Sequence, residues 1–198
     1  YQQAQDELTE RRRIETELRE SEEFKRRILN SSSDCINLLD INGQFLYINK
    51  GGLRLLEIDD FTLYLNQAWL HLWPDSDRPA AETALATAKA GELFRFQGFR
   101  PTVKGTPKWW DVAVTPILDA TGQVSQILAI SRDITDQKQA ETELKVQQTQ
   151  LQQQLAEIEA IYQSAPIGLN VLDTDLRFIR INQRLAEMNG YSIDAHLG

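Results

Sequence analysis

The chain has 198 residues, 41% hydrophobic and 25% charged, with 29 acidic against 21 basic side chains and a net charge of −8. That length holds one domain with added elements or two small domains. The acidic balance excludes a nucleic-acid binder, which must neutralise phosphates with clustered basic residues. The single cysteine, Cys35, excludes an internal disulfide and fits a reducing compartment.

In chain order, the first element predicted is a helix over residues 4–29, with Leu8, Ile14, Leu18, Phe24 and Ile28 as its apolar points. Its Arg11-Arg12-Arg13 run lies among Glu7, Glu10, Glu15 and Glu17 and reads as a solvated mixed-charge face. Ser31-Ser32-Ser33-Asp34 ends it. A short strand, Cys35 to Asp40, leads through the Asn42-Gly43 turn into a second, Phe45 to Ile48. Asn49 caps a short helix through Leu56.

The stretch from Asp59 to Trp73 is irregular. Pro79 to Ala90 is helical, stopped by Gly91, with Asp75 and Asp77 expected to cap it. Three strands are expected next, at Leu93–Arg100, Trp109–Leu118 and Val124–Arg132. The order predicts an α+β fold, a five-stranded antiparallel sheet with helices on one face. Trp109 and Trp110 should point to opposite faces.

Ile134 to Ala165 reads as one long helix, free of Pro and Gly. Stepping three and four residues from Ile134 gives a seam of Leu144, Leu151, Leu155, Ile158 and Tyr162, polar at first and apolar later. Such a helix has too little apolar surface to be stable alone, so a homodimer through the helices is expected.

The chain repeats itself. Glu7 to Leu18 matches Asp133 to Leu144, an offset of 126 (133 minus 7). Ser31 to Asn49 matches Ser164 to Asn182, an offset of 133 (182 minus 49). The difference is one heptad, which returns a coiled-coil seam to the same phase. The expected layout is an N-terminal signalling helix (1–29), a complete domain (30–135), a linker helix (136–163) and the truncated start of a second domain (164–198). Residues 166–198 are expected to be poorly ordered, rearranged or completed by a neighbouring chain, since the later strands are missing.

The strand-turn-strand ending in Asn49, the Trp-Pro-Asp-Ser-Asp-Arg run at 73–78, Lys108-Trp109-Trp110-Asp111-Val112 with Thr115-Pro116-Ile117, and Ser131-Arg132-Asp133-Ile134-Thr135 resemble the PAS family. The resemblance covers residues 24–137, and its opening strands recur from about Glu157. In the N-terminal helix Glu7-Leu8-Thr9 takes the place of the Asp-Ile-Thr signature, so a further PAS-like domain is expected upstream. The resemblance implies a bacterial sensor module, in a histidine kinase of a two-component system or, alternatively, a diguanylate cyclase or phosphodiesterase. A small-ligand-binding sensor is the other alternative. The chain opens on Tyr1 and ends at His196-Leu197-Gly198, so it is expected to be a piece of a longer cytoplasmic protein. Any membrane anchor lies elsewhere, because no apolar run of about 18 residues marks a span. The output domain is expected downstream.

Asp133, Ile134 and Thr135 are the expected coupling residues. Asp133 can accept hydrogen bonds from the first helical turn, Thr135 can cap the same turn, and Ile134 heads the seam. The candidate pocket is Ile36, Leu38, Leu56, Trp69, Leu72, Leu85, Phe96, Val112, Val114 and Ile127, all of which also suit an ordinary core. No cofactor is expected. Haem needs an axial ligand, usually histidine, and the 79–90 helix has none. Cys35 lacks the helical Asn-Cys context of a photoreactive flavin site, and is expected as a small buried residue. His71 is expected as a surface or satisfied histidine. One Cys and two His make no metal site, and no nucleophile-base pair suggests an enzyme.

Overall fold

The computed structural model describes residues 2–195, with side chains from residue 10 onward. The side chains of Glu7, Leu8 and Thr9, on which the signature reading rests, and residues His196-Leu197-Gly198 lie outside these. The chain divides into two compact units, residues 1–138 and 139–198.

In the first unit, helix α1 (Gln2–Ser31) precedes β1 (Cys35–Asp40), β2 (Phe45–Ile48) and α2 (Lys50–Leu56). Two single 3-10 turns, Phe61–Leu63 and Trp69–Leu72, lead to α3 (Arg78–Lys89). The sheet is then completed by β3 (Phe94–Phe99), β4 (Trp109–Leu118) and β5 (Val124–Asp133). The sheet order is β2-β1-β5-β4-β3, antiparallel throughout. The predicted strands and turns are present with bounds shifted by a residue or so.

The β1–β2 hairpin is set by its turn. Asp40 Oδ1 accepts from the amides of Asn42 (2.9 Å) and Gln44 (2.7 Å). Gly43 holds φ +86° there, the left-handed region glycine enters freely. One sheet face is covered by α2, α3 and the second 3-10 turn. Leu39, Phe45, Leu56, Trp69, Leu85, Trp110 and Val114 are among the residues packed there. Trp69 stacks edge-on against Trp73 with ring centroids 5.6 Å apart. Aromatic side chains of this size dominate core energetics, and truncating one to alanine costs about 3–5 kcal/mol.

Asp77 precedes α3 but makes no side-chain cap, contrary to expectation. Its Oδ1 instead accepts the Phe99 amide at 3.1 Å, tying the helix start to the end of β3. Asp75 pairs with Arg78 at 3.3 Å. Pro79, fixed at a helical φ, starts the helix without a side-chain cap.

Helix α4 runs unbroken from Thr135 to Ser164. In the second unit, β6 (Asn170–Leu172), β7 (Phe178–Ile181) and α5 (Gln183–Asn189) follow. The expectation of a disordered or rearranged segment is corrected here. Asn170 pairs with Ile181, Val171 with Arg180 and Leu172 with Phe178. Each pair lies 133 residues after its counterpart, Asn37 with Ile48, Leu38 with Tyr47 and Leu39 with Phe45 (170 minus 37 is 133). A hairpin closes over a short loop, so its register is fixed by its own turn and needs no later strand.

Candidate functional site

The sheet topology brings the two helix junctions of the first unit together. β1 and β5 are neighbours, and Cys35 at the start of β1 pairs with Ser131 near the end of β5. The chain therefore enters from α1 and leaves into α4 at the same end of the sheet. Arg132 and Asp34 join the two junctions by an ion pair of 3.0 Å.

At the exit, Asp133 Oδ1 accepts the Thr135 amide at 3.0 Å and the Thr135 hydroxyl at 2.5 Å. Its Oδ2 meets Lys108 Nζ at 2.6 Å. Burial pushes the Asp133 carboxyl up, but Lys108 together with the hydroxyl and amide of Thr135 outweighs burial and holds it below its ordinary value. Two expectations change. The Thr135 hydroxyl does not cap the first turn. It accepts the Trp109 amide at 3.0 Å, because the start of β4 lies beside the helix start. Ile134 does not head an exposed seam. It is 7% exposed, and its N–H donates to the Trp109 carbonyl at 2.9 Å, extending the β4–β5 ladder by one rung. Lys138 Nζ lies 5.8 Å over the exposed ring of Trp109, while Trp110 is fully buried on the other face. Asp133, Ile134 and Thr135 thus clamp the first turn of α4 to β4 and β5.

At the entrance the corresponding tie is Asn49. Its Oδ1 accepts from the amides of Ile36 (2.9 Å) and Gly52 (2.8 Å). Its Nδ2 donates to the carbonyls of Leu29 (2.9 Å) and Asp34 (3.0 Å). One buried side chain uses all four of its hydrogen-bonding positions, joining the last turn of α1, the entry to β1 and the first turn of α2. Sequence reasoning found only the cap. The signal that identifies the rest is the repeat, for Asn182 makes the same four bonds to Leu169, Leu185, Tyr162 and Ile167.

Of the seam residues, Leu144, Leu151, Leu155 and Ile158 are exposed on α4, and Tyr162 is half-buried with its hydroxyl donating to the Leu169 carbonyl at 3.2 Å. Val146 and Ile161, also exposed, add to the apolar surface.

The candidate pocket residues Leu56, Trp69, Leu85, Val112, Val114 and Ile127 lie in the core, with Leu72 and Phe96 packed against it. Ile36, which is buried, and Leu38, which is half-buried, lie outside that cluster. The period of two places Cys35, Asn37 and Leu39 inward and turns Ile36 and Leu38 to the opposite face. Cys35 is fully buried, and burial pushes its thiol up to about 11 despite Arg100 and Asn37 nearby, so it is a neutral thiol at pH 7. His71 is exposed at the edge of a cleft. No group of three or more metal-ligating side chains occurs among the described residues. No helix among them is long and apolar enough to cross a membrane.

An antiparallel sheet in the order 2-1-5-4-3, covered on one face by short helices and flanked by long ones, defines a PAS-type architecture. The PAS fold profile matches residues 29–139, more than half of the chain, and the chain belongs to that family. The chain is similar to the PAS domain of an HTR-like protein from Haloarcula marismortui, at 23% identity and a TM-score of 0.52, covering 62% of this chain and 99% of that one. A PAS domain from Colwellia psychrerythraea gives 19% identity and a TM-score of 0.52 over 58% and 97% of the two chains. An RNA-binding light-oxygen-voltage receptor gives 18% and 0.53 over 62% of this chain and 36% of that one. These likenesses concern the fold. No curated protein matches.

Proposed function

We propose that this chain is the sensory and signal-transmission segment of a multidomain bacterial signalling protein, a sensor histidine kinase of a two-component system, with its output domain in the same polypeptide. In this reading it is cytoplasmic, carries no haem or flavin, performs no chemistry, and acts as a homodimer through its long helices.

The observation that carries the reading is the pair of clamps at one end of one sheet. Asn49 holds the end of α1 and Asp133 with Thr135 holds the start of α4. β1 and β5, to which they attach, are hydrogen-bonded neighbours. A small shift between those strands then changes both helix junctions at once, which is what a two-state relay requires. The exposed leucines and isoleucine of α4 support a helix pair, because a helix without a buried face draws its stability from a partner.

The test is Asp133→Ala in the full-length protein. Loss of stimulus-dependent kinase output with unchanged basal autophosphorylation is expected. Normal response would refute the coupling role. Inserting seven residues after Gln148 should preserve output and inserting four should disrupt it, since only the former keeps the seam in phase. Sedimentation should give a dimer, and a strict monomer at high concentration would remove the helix-pair argument.

A further inference from the structure

The core of the first unit contains a cation without a counter-ion. Arg100 is 1% exposed, and its Nε, Nη1 and Nη2 have no hydrogen-bond partner among the described residues. Its guanidinium lies 4.6 Å from the ring centroid of Trp73 and 5.1 Å from that of Trp110. No described carboxylate pairs with it. Among the described residues the titratable group acting on it is Cys35, and that thiol is neutral at pH 7.

Leaving a buried cation unpaired is strongly unfavourable, because its lost hydration is not replaced. Two cation–π contacts offset part of this at the flat faces of the guanidinium and leave the N–H groups at its edge unpaired. Burial accordingly pulls the Arg100 guanidinium down to about 10.

The surrounding groups are unbalanced in the same sense. Asn37 Nδ2, Trp69 Nε1, Trp73 Nε1 and Ser131 Oγ are also buried without partners. Every one of these atoms can donate, and only the serine hydroxyl can also accept. They are linked through Cys35, which neighbours the guanidinium, donates to Asn37 Oδ1 at 3.6 Å and pairs with Ser131 across β1 and β5. Trp69 stacks on Trp73, Trp73 on the guanidinium, and Trp110 Nε1 donates to the Arg100 carbonyl at 2.8 Å. Asn37 and Ser131 stand on the inward faces of the neighbouring strands β1 and β5. A surplus of donors around a cation calls for an acceptor carrying negative charge. Buried water would satisfy donors but not the charge.

A surface cleft reaches Arg100. A cleft of about 260 Å³ is lined by Arg100 together with Leu56, Tyr64, Leu72, Thr102 and Val103. Its size admits a few carbon atoms, and its leucines suit an apolar body. One guanidinium balances one negative charge, and its planar fork matches a planar carboxylate. A phosphate dianion would leave a charge uncompensated.

We infer that Arg100 anchors a binding site for a small organic carboxylate where this cleft meets the core of the first unit. This goes beyond the relay reading and does not depend on it. The site binds or fails to bind whether or not the helices transmit.

The whole chain is assayed by thermal unfolding at pH 7 and matched ionic strength. The probes are acetate, butyrate and benzoate, each against its neutral amide, with inorganic phosphate as a separate arm. At least one carboxylate should raise the midpoint by about 5 °C or more at saturation, while its amide and phosphate leave it unchanged. Arg100→Met should abolish that shift without lowering the ligand-free midpoint, since it removes an unpaired buried charge. Arg100→Lys, which keeps the charge but loses the fork, should weaken binding at least tenfold and reads the site if the methionine variant does not fold. Three results would overturn the inference: no carboxylate exceeding its amide, phosphate matching the best carboxylate, or a shift that survives both substitutions.

Discussion

Residues 35–56 and 168–189 share a hairpin register and a four-bond asparagine frame, and they differ in how that frame is packed. In the first copy Leu39 is fully buried, whereas its counterpart Leu172 is 40% exposed. In the first copy Gly52 approaches Cys35 so closely that an added methyl would sit 2.8 Å from the sulfur. At the equivalent positions the second copy has Leu185 and Gly168, and a methyl on Gly168 would sit 2.9 Å from Leu185 Cδ1. Small and large have exchanged sides of one contact. The polar frame is thus the constant part of the module, and the apolar packing around it adjusts in compensating pairs.

Changing the asparagine of the frame should have the greatest consequence. Asn49→Asp keeps both acceptor bonds but sets a buried carboxylate against the carbonyls of Leu29 and Asp34. A loss of about 4 kcal/mol is expected in denaturant unfolding of the first unit. Asn182→Asp should leave that transition in place and instead accelerate amide exchange in β6 and β7, which have no third strand among the described residues. Equal effects of the two on the main transition would show that the copies do not differ in cooperativity.

Next is the exchanged pair. Gly52→Ala should cost about 2 kcal/mol by overpacking. Adding Cys35→Gly should recover part of this, the contact with Ile48 remaining. A double-mutant cycle measures the coupling, and strict additivity would mean that the two positions do not compensate each other.

Much of the architecture was legible because its signals are local. Asn42-Gly43 and Gly91 punctuate the chain, and Trp109 and Trp110 obey simple alternation. The phase of β1 was not legible. Cys35-Ile36-Asn37-Leu38-Leu39-Asp40 offers apolar residues at both parities, and the bulkier pair was the natural choice for the core. What turned Asn37 inward is the pairing with β5, which joins residues about ninety positions apart. Asn49 was readable as a helix cap but not as a tie, since three of its partners lie 13 to 20 residues back along the chain. Arg100 carried a faint signal. It shares the parity of Phe94, Phe96 and Gly98, two steps beyond the last, yet a basic residue at a strand end reads as solvent-exposed by composition. Thr135 pointed to a helix start correctly, but nothing local could show its hydroxyl turning back to β4.

A smaller effect separates the two hairpin turns. Asp173 Oδ1 accepts from the amides of Asp175 and Arg177, both at 2.9 Å, repeating the bonds of Asp40. The residue corresponding to Gly43 is Leu176, which holds φ +65°. A side chain in that region costs about 1 kcal/mol or slightly more. Leu176→Gly should therefore stabilise the second hairpin by about 1 kcal/mol, read as slower exchange of its ladder amides. Gly43→Leu should destabilise the first, both through φ and because Leu85 Cδ1 lies 2.9 Å from the added Cβ. No gain from Leu176→Gly would show that the second turn relaxes without strain.

The smallest expected effect concerns the exit clamp, which α4 has and to which the Asn182 frame offers no counterpart. The folded-state carboxyl of Asp133 lies below its ordinary value of 3.8, burial being outweighed by Lys108 and Thr135. A depressed carboxyl contributes stability that is fully present above its unfolded value and is lost as pH falls through the folded one. Between neutrality and the ordinary carboxylate range the clamp is therefore at full strength, and only below that range does protonation release Lys108. Asp133→Asn should lower stability at pH 7 and flatten the acid limb of the pH–stability curve, so that the two proteins converge at low pH. Lys108→Met should bring the carboxyl back toward its ordinary value and move the loss to higher pH. If wild type and Asp133→Asn keep parallel acid limbs, the charge of Asp133 does not hold the start of α4, and the junction is maintained by the Trp109 backbone bonds alone.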